Sequence, residues 1–239
     1  MRPFFIVIRA FFLKLSKRLE QIEQIEQMVT ADYTHIWDCC CDHGLLGAAL
    51  LSRLAAPNIH FVDIVPKLMD ELEGKLQRFY SHSLSRWKTH CIDVATLPLD
   101  KHQGKHLVII AGVGGDLMIK FVETLHHKYP ELAIDFLLCP VHHQFALRQK
   151  LIELQFSLKD EVLIEDNKRF YEVMLVTSVT DENAPISAVG DKIWQSTSLK
   201  QANIAEKYLR KTLCHYQRIE QGNSNSVTHI IAAYRTVVL

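Results

Sequence analysis

The sequence predicts an open α/β fold with a mostly parallel sheet, an antiparallel final strand and a C-terminal helical hairpin. Three observations support this prediction. Short apolar segments alternate with segments of helical spacing over residues 34–154, which is the pattern of parallel strands joined by crossover helices. Residues 156–178 then contain two adjacent β-type segments, which can close the edge of such a sheet. Two apolar stripes of helical period flank the polar turn at residues 222–226.

The first five predicted elements alternate between helix and strand. Residues 15–29 carry apolar side chains at spacings of three and four, which predicts an amphipathic helix. Residues 34–40 form a short apolar run that predicts a strand, and residues 44–54, rich in Leu and Ala, predict a helix. Residues 58–62 predict the second strand. A proline suits the first turn of a helix, so Pro66 predicts the start of a helix over residues 66–80.

The middle of the chain continues the alternation. Residues 90–92 predict a short strand, and residues 106–111 predict a buried strand because they are largely apolar. A glycine-rich turn at residues 112–115 separates this strand from a helix that runs to residue 125. Residues 134–139 predict another buried strand, which stops before a proline, and residues 144–154 predict the helix that follows it.

The last third of the chain changes character. Residues 156–164 and 169–178 predict an antiparallel pair of strands. Residues 180–187 are polar and contain a proline, which predicts a linker. Residues 199–216 and 227–239 each place apolar side chains on one helical face, so we expect them to pack together as a hairpin.

These elements divide the chain into an extra apolar segment over residues 1–13, a main domain over residues 14–180 and a coiled-coil-like hairpin over residues 190–239. The first segment is too short to span a bilayer, and Arg9 interrupts it, so we predict no integral membrane segment. It fits an amphipathic segment packed on the domain or on a partner, a peripheral membrane contact, or a misassigned start.

Composition narrows the possible functions. The chain has 27 basic and 27 acidic residues, so any contact with nucleic acid must come from a local patch rather than from net charge. Six cysteines are present, three of them consecutive at residues 39–41, and no Cys-x-x-Cys pair occurs. Adjacent cysteines cannot surround one tetrahedral zinc ion without strain. We therefore predict reduced thiols, a cytoplasmic location and no metal.

One local patch is basic. Residues 192–218 contain six Lys and Arg residues against a single acid, Glu206. We predict that this helical segment contacts the phosphates of RNA, in particular through Lys207, Arg210 and Lys211. The alternative is an ordinary solvated helix face.

Acids or glycines follow four of the predicted strands. Asp38, Asp63 and Asp93 lie at or just after the ends of three strands, and the glycine cluster 112–115 follows a fourth. Ligands of open parallel sheets bind beyond the carboxyl ends of the strands. Each acid alone is also common in turns, but four such positions in order predict a ligand site at this edge.

The chemistry of these residues suits S-adenosylmethionine (SAM), which carries no phosphate. Asp63 can accept hydrogen bonds from both ribose hydroxyls, and Asp93 can accept one from the adenine amino group. Asp38 and Asp42 can face the ammonium group of the methionine end, while Gly44 lets the backbone approach the ligand. A pyrophosphate ligand would require free N–H groups rather than acids, which argues against NAD.

Five segments resemble the bacterial tRNA (adenine-22, N1)-methyltransferase family, known as TrmK. They are Leu-Ser-Lys-Arg-Leu at 15–19, Asp-x-x-x-Asp-His at 38–43, Ile-Ala-Gly-x-Gly-Gly at 110–115, Leu147-Arg148, and Glu-Asp-Asn-Lys-Arg-Phe-Tyr-Glu at 165–172. The resemblance covers about residues 14–178. It implies a Rossmann-like class I methyltransferase sheet, SAM as cofactor and tRNA as partner.

The chain departs from the family pattern at two places. Cys40 stands where the family has a glycine, and a glycine is found instead at residue 44. Residues 139–141 read Cys-Pro-Val where the family has Gln-Pro-Asn, in a region that commonly contacts the target base. His142 or His143 can replace the lost polar groups, or these histidines have only a surface role.

The resemblance implies methyl transfer from SAM to N1 of adenine 22 in tRNA, with Asp42 and His43 as catalytic residues. Asp42 would accept a proton from the exocyclic amine, although a helix N-cap is an alternative role for it. The predicted cofactor-binding residues are Asp38, Asp42, Gly44, Asp63, Asp93, Ala111, Gly112, Gly114 and Gly115. The predicted RNA-binding residues are Lys17, Arg18, Arg148, Lys207, Arg210 and Lys211.

Two other functions remain open at this stage. The altered residues 139–141 allow a methyltransferase of the same fold that acts on another RNA or on a small molecule. Cys40 in place of glycine allows a catalytically silent RNA-binding or scaffolding protein with a degenerate SAM pocket.

Overall fold

A central sheet organises the computed structural model, which describes residues 24–25, 27–29, 32–196, 198–222 and 226–239. Within these residues the sheet has seven strands. The strands are β1 (His35–Cys39), β2 (Asn58–Asp63), β3 (Arg86–Cys91), β4 (His106–Ala111), β5 (Ile134–Cys139), β6 (Ser157–Asp166) and β7 (Arg169–Thr177). The helices are α1 (Leu45–Ser52), α2 (Pro66–Tyr80), α3 (Gly115–Lys128), α4 (Gln144–Glu153), α5 (Leu199–Gly222) and α6 (Thr228–Arg235).

The strand order confirms the predicted fold class. The sheet runs β3-β2-β1-β4-β5-β7-β6, and β7 is antiparallel to both of its neighbours, while the other pairs are parallel. The chain starts in the middle of the sheet, builds one half through β2 and β3, and then returns to add β4 and β5 on the other side. The order therefore reverses between β1 and β4, which is where ligands of such sheets bind.

Helices cover both faces of the sheet because the central strands are apolar on both sides. Ile36 of β1 packs in one core with Leu50 of α1 and Leu72 of α2. The next residue, Trp37, points to the opposite face and packs in a second core with Val122 of α3 and Leu147 of α4. The two cores stabilise the sheet from both faces. Because its central strands are parallel, their carboxyl ends lie at a single edge.

Predicted and observed elements agree best where the sequence is strongly apolar. The bounds of α2, β4 and β5 are those predicted, and all six residues of β5 are buried. The third strand is longer than predicted, since β3 begins at Arg86 rather than at residue 90. It lies at the sheet edge and is partly exposed, so its polar residues carry little of the apolar signal that marks a buried strand.

The C-terminal helices form the predicted hairpin and pack on the sheet through an aromatic cluster. Tyr208 of α5 and Tyr234 of α6 are buried against Trp194, with Phe145 of α4 and Leu163 of β6 in the same cluster. The rings of Trp194 and Tyr208 are stacked with centroids 5.6 Å apart. The hairpin is thus fixed to the side of the sheet that carries β6 and β7.

The segment predicted as a linker, residues 180–187, is bound to the start of β6. The backbone N–H of Leu158 donates to the carbonyl of Ala184 at 2.8 Å, and that of Asp181 donates to the hydroxyl of Ser157 at 2.6 Å. Composition alone could not reveal these tertiary contacts, which hold the connecting stretch against β6.

Several predictions fall outside the described residues. Residues 1–13 are among them, as are Lys17 and Arg18, and only residues 24–25 and 27–28 of the helix predicted over 15–29 are described as helical. The division of the chain at residues 13, 180 and 190 stays a prediction. Within the described part of the chain, no helix combines the length and apolar character needed to cross a membrane.

A buried ion-pair network joins the sheet to the C-terminal hairpin. Arg148 of α4 is fully buried and donates from Nε to Glu172 at 2.7 Å and from Nη2 to Glu161 at 2.6 Å. The hydroxyl of Tyr208 donates to the other oxygen of Glu172 at 2.5 Å. Burial alone would lower the pKa of Arg148, but the carboxylates of Glu172 and Glu161 outweigh it and raise the pKa.

Replacement of Arg148 by Met should strongly destabilise the fold. The variant leaves two buried carboxylates without their cation, and breaking a buried pair in this way costs about 3–5 kcal/mol. The free energy of unfolding measured by urea denaturation should fall by this amount.

Lys150→Met is the matched control because Lys150 lies in the same helix and pairs with Glu153 at 2.7 Å on the surface. This variant should leave the free energy of unfolding nearly unchanged. Equal effects of the two substitutions would show that the buried network does not have the predicted role.

Candidate active site

The four strand ends singled out in the sequence lie side by side. The neighbouring strands β3, β2, β1 and β4 are parallel, so their carboxyl ends meet at one edge of the sheet. Asp38, Asp63, Asp93 and Gly112 lie at these ends, at or within two residues of the last residue of each strand. The structure therefore brings together the residues that were predicted to form one ligand site.

The loop after β1 has an unusual backbone. Cys40, Asp42 and Gly44 have φ angles of 55°, 50° and 69°, in the left-handed region that favours glycine. Gly44 is also required by space, because a Cβ atom there would lie 2.5 Å from Cδ1 of Leu72. The loop folds back towards β2, where the N–H of Asp42 donates to Oδ2 of Asp63 at 3.2 Å.

Asp38 is a buried carboxylate with one hydrogen bond. Its Oδ2 accepts from the N–H of Gly47 at 2.8 Å, and within the described residues its Oδ1 has no donor. Burial raises the pKa of Asp38 to about 7, the Gly47 N–H opposes this, and the nearby Asp63 adds to it. A cation close to Asp38 would therefore favour its ionised form.

Asp63 and Asp93 keep oxygen lone pairs on the accessible side of the edge. Asp63 is half-buried and accepts from the N–H groups of Val65, at 3.1 Å, and Asp42. Asp93 is exposed and accepts from the N–H of Ala95 at 2.8 Å, which caps a short 3-10 turn. A carboxylate has about four acceptor positions, so each can still accept hydrogen bonds from a ligand.

The thiol of Cys40 lies among the acids. Burial is the main cause that raises the pKa of Cys40 to about 12, and the negative charges of Asp63, Asp38 and Asp93 raise it further. A thiol with such a pKa is protonated at neutral pH and is a poor nucleophile. Cys40 therefore lines the site as a small neutral side chain, and its left-handed backbone explains why glycine would fit this position without strain.

The glycine cluster brings the ends of β4 and β5 close together. Gly112 has a φ of 82° and follows Ala111, the half-buried last residue of β4. A Cβ atom on Gly114 would lie 2.3 Å from the ring of His142, and one on Gly115 would lie 2.7 Å from the carbonyl oxygen of His143. The absence of side chains at Gly114 and Gly115 thus lets the loop after β5 pack closely against them. This packing explains the two glycines whether or not they also contact a ligand.

The predicted catalytic residues are exposed at the rim of the site. Asp42 and His43 lie next to each other with Oδ1 and Nε2 3.7 Å apart. The sequence did not identify a second pair, in which Nδ1 of His143 lies 2.7 Å from Oδ2 of Asp116. Their separation of 27 positions in the sequence hid this contact, although both directly follow strand-to-helix turns at the predicted ligand edge.

A match to a protein-family model settles the class of this fold. Residues 15–174 match the family described as "Methyltransferase domain". The chain belongs to this family. It is a class I methyltransferase domain, whose sheet order and antiparallel last pair are those described above. No curated protein matches the sequence.

Solved structures with the same fold include two TrmK proteins. TrmK from M. capricolum, in complex with the natural cofactor product S-adenosyl-homocysteine (SAH), has a TM-score of 0.66 at 17% identity and covers 90% of this chain and 95% of its own. The B. subtilis M1A22 tRNA methyltransferase TrmK has a TM-score of 0.65 at 17% identity, with coverages of 91% and 97%.

A third similar structure has another substrate class. Magnesium protoporphyrin IX methyltransferase (ChlM) from Synechocystis PCC 6803, with bound SAM, has a TM-score of 0.52 at 14% identity and covers 74% of this chain and 84% of its own. At such identities the likeness concerns the fold, so the substrate must be argued from the site.

The predicted RNA-binding residues divide into two groups. Lys207, Arg210 and Lys211 are exposed on α5. Arg148, in contrast, is 0% exposed and held by two carboxylates. The prediction that Arg148 binds RNA was wrong, because its guanidinium cannot reach a phosphate without breaking the buried network.

The raised pKa of Asp38 leads to a pH-dependent difference in stability between wild type and Asp38→Asn. The pKa of Asp38 is about 7 in the folded protein, against an ordinary value of 3.8 for this side chain. The folded state therefore holds this proton more tightly, so its contribution to stability is complete below about pH 4 and is lost as pH rises through about 7. Asparagine can keep the bond from Gly47 without ionising. Relative to this variant, wild type should lose up to a few kcal/mol between pH 4 and 8.

The measurement is the free energy of unfolding by urea at several pH values, without ligand. Asp70→Asn, which removes an exposed carboxylate on α2, controls for the loss of one negative charge. If the difference in the free energy of unfolding between wild type and Asp38→Asn stays constant across these pH values, the raised pKa of Asp38 is contradicted.

Proposed function

We propose that this chain binds SAM at the carboxyl ends of β1 to β4 and methylates N1 of adenine 22 in tRNA. The observation that carries the proposal is the meeting of two features at one edge of the sheet. The acids Asp38, Asp63 and Asp93 lie there on adjacent strands, and a basic helix face lies beside the β6–β7 turn at the same edge.

The nucleoside half of SAM fits the acids of β2 and β3. Asp63 already has its oxygens oriented by two backbone N–H groups, which leaves acceptor positions for both ribose hydroxyls. Asp93 is fixed by its bond to Ala95 and can accept from the adenine amino group. Gly112 has a φ of 82° and no side chain, so a ligand can approach the backbone at this position.

The methionine half fits the end of β1. Asp38 is a buried carboxylate whose Oδ1 has no donor within the described residues, so an ammonium group would supply the missing partner. Asp42 is exposed nearby and bears a second carboxylate. Cys40 contributes a protonated thiol rather than a charge, and so does not oppose an anionic carboxylate of the ligand.

The residues of the chain would act mainly by positioning the adenine base relative to the methyl group of SAM. SAM, when bound, supplies an electrophilic methyl group on its sulfonium. The N1 lone pair of neutral adenine is available without prior deprotonation, so orientation and exclusion of water are the main requirements. Asp42 is placed at the rim to accept a proton from the exocyclic amine as positive charge develops on the ring. His43 beside it can hold the base after it leaves the stack.

The position of the basic face of α5 supports a contact with the tRNA. Nζ of Lys207 lies 3.9 Å from Glu165, and Nζ of Lys211 lies 5.2 Å from the ring centroid of Phe170. Glu165 and Phe170 flank the β6–β7 turn, and β6 runs in the same direction as β5, so this turn is at the carboxyl edge. An RNA backbone that is bound by Lys207 and Lys211 can therefore bring one of its bases to the candidate active site.

The similar structures support the adenine assignment without fixing it. Two of them are TrmK proteins, one with SAH bound, while ChlM has the same fold and a porphyrin substrate. Because Cys139 and Val141 replace the polar residues of the family pattern, a different RNA or small-molecule substrate is the second candidate. The pair formed by His143 and Asp116 offers polar contacts at this place.

Asp63→Ala should abolish binding of SAH. The variant removes the acceptor for the ribose hydroxyls, and two hydrogen bonds to a charged group correspond to roughly 100-fold or more in affinity. Isothermal titration calorimetry of the purified chain with SAH measures this.

Asp70→Ala, an exposed acid on α2 outside the site, is the control and should bind SAH like wild type. If wild type does not bind SAH at millimolar concentration, the protein is a silent member of the family and the enzyme proposal fails.

Wild-type protein should transfer labelled methyl groups from SAM to an unmodified tRNA transcript with adenine at position 22. The product nucleoside, identified by mass spectrometry, should be 1-methyladenosine, and a transcript with guanine at position 22 should stay unlabelled. Charge reversal at Lys207, Arg210 and Lys211 should weaken tRNA binding and lower the slope of log affinity against log salt by about 2–3.

Reversal of Arg86, Lys101 and Lys105 is the matched control, because these residues lie towards the amino ends of β3 and β4. It should leave tRNA affinity nearly unchanged. Methylation of another nucleoside would favour the second candidate, and equal losses from both triple variants would show that α5 has no specific role.

A further inference from the structure

Five histidines and a tryptophan are packed together, and none of them belongs to the candidate active site. They lie on the sheet face covered by α3 and α4, towards the amino ends of β1 and β4, beneath the connection between β3 and β4. The group consists of His35, His60, His90, His102, His106 and Trp37. We call it the histidine cluster.

Three of these rings surround one point. The ring centroids of His35, His60 and His102 are 5.3, 5.0 and 5.0 Å apart, which is nearly an equilateral triangle. One ring nitrogen from each lies within 4.8 Å of the others. We propose that His35, His60 and His102 bind a divalent first-row transition metal ion, Zn²⁺ in the first instance.

The spacing of the nitrogens suits this ion. Imidazole nitrogens bind Zn²⁺ at about 2.0–2.1 Å, so two of them in a tetrahedral site are about 3.4 Å apart. Nδ1 of His35 and Nε2 of His60 are already 3.0 Å apart. His102 lies on a connecting segment, and one of its nitrogens is within 4.8 Å of those of His35 and His60. A shift on the order of 1 Å would bring it to the tetrahedral separation.

Metal-binding histidines usually donate their second N–H to an outer acceptor, and His60 has such an acceptor in His90. Nδ1 of His60 lies 2.9 Å from Nε2 of His90. With its proton on Nδ1, His60 donates to His90 and also offers its Nε2 lone pair to the ion.

The other two members of the cluster hold the ligands in place. The indole N–H of Trp37 donates to Nδ1 of His106 at 3.2 Å, so His106 carries its own proton on Nε2 and donates it to the carbonyl of His102 at 3.0 Å. Trp37 also stacks on His60, with centroids 3.8 Å apart. His106 is therefore a support for the backbone of His102 rather than a ligand.

His102 provides the strongest argument for a missing partner. In the part of the chain that the structure describes, neither of its ring nitrogens has a hydrogen bond, although its ring packs against His35, His60 and Trp37. A metal ion among the three rings would give His102 a partner that no side chain of the described residues supplies. A hydrogen-bonded chain of His35, His60 and His90 alone would leave His102 without one.

Three imidazoles leave a fourth position of a tetrahedral ion for water, and the half-buried His102 gives the cluster an accessible side. The charged groups around the cluster are Lys88, Lys101 and Asp100.

An ion here would fasten the β3–β4 connection to the sheet. His102 belongs to this connection, while His35 and His60 belong to β1 and β2. The sequence predicted no metal because only the cysteines had a recognisable pattern. His35 and His60, 25 residues apart, become neighbours through strand register, and His102, 42 residues after His60, joins them through the β3–β4 connection. This proposal does not depend on the methyltransferase substrate.

The test uses the full chain after treatment with a chelator. Titration with Zn²⁺ in competition with a chromophoric chelator should show one tight site, and His102→Ala should weaken it by roughly 100-fold or more, since even loss of an outer partner costs about 10–100-fold. His102 is half-buried on a connection, so circular dichroism should show an intact fold. The double variant His142→Ala/His143→Ala, which removes the exposed Asp116-containing cluster, is the control and should bind like wild type.

Co²⁺ distinguishes imidazole from thiolate ligands. The proposed site should give a visible cobalt spectrum without the near-ultraviolet charge-transfer band that thiolates produce, and His102→Ala should remove that spectrum. The proposal is overturned if one equivalent of Zn²⁺ does not bind, if His102→Ala binds it as tightly as wild type, or if the thiolate band appears.

Discussion

The pairing of Arg148 with Glu161 and Glu172 is the constraint on which the arrangement of the molecule depends. One guanidinium connects α4 with β6 and β7, and Tyr208 extends the network to α5. Glu161 also accepts from the backbone N–H groups of Asp191 and Lys192, which orients the chain just before the hairpin. The closing strands and the basic helix are therefore positioned together, and the place of α5 relative to the ligand edge follows from a single buried charge.

The ligand edge depends on a second electrostatic balance. Three acids and one half-buried thiol meet where four strands end, and burial makes ionisation of Asp38 unfavourable. Such a site gains most from a ligand that brings a positive charge and several hydrogen-bond donors. SAM has both, whereas the phosphates of a dinucleotide would add negative charge beside the acids. The proposal of SAM as cofactor thus rests on the charge at the strand ends, even though the glycine of the family pattern is replaced by Cys40.

The sequence predicted the fold well, and it located the acids at the strand ends, because both depend on local patterns. Apolar runs such as 106–111 and 134–139 mark buried strands, and the acids that follow strands mark their ends. What it missed depends on tertiary contacts. Arg148 looked like a surface cation because nothing local shows that Glu161 and Glu172 come to enclose it. The attachment of residues 180–187 to β6 and the histidine cluster were hidden for the same reason.

The placement of the cysteines has a consequence for chemical modification of this protein. Cys39, Cys41 and Cys139 are buried and Cys40 is half-buried, whereas Cys91 and Cys214 are exposed. Reagents that attack thiolates should therefore modify Cys91 and Cys214 first. Cys91 ends the edge strand β3, and Cys214 lies on α5, beyond the opposite edge. The native chain thus carries two natural attachment points on opposite flanks, suited to a pair of fluorophores that would report changes in the distance between the sheet and the hairpin.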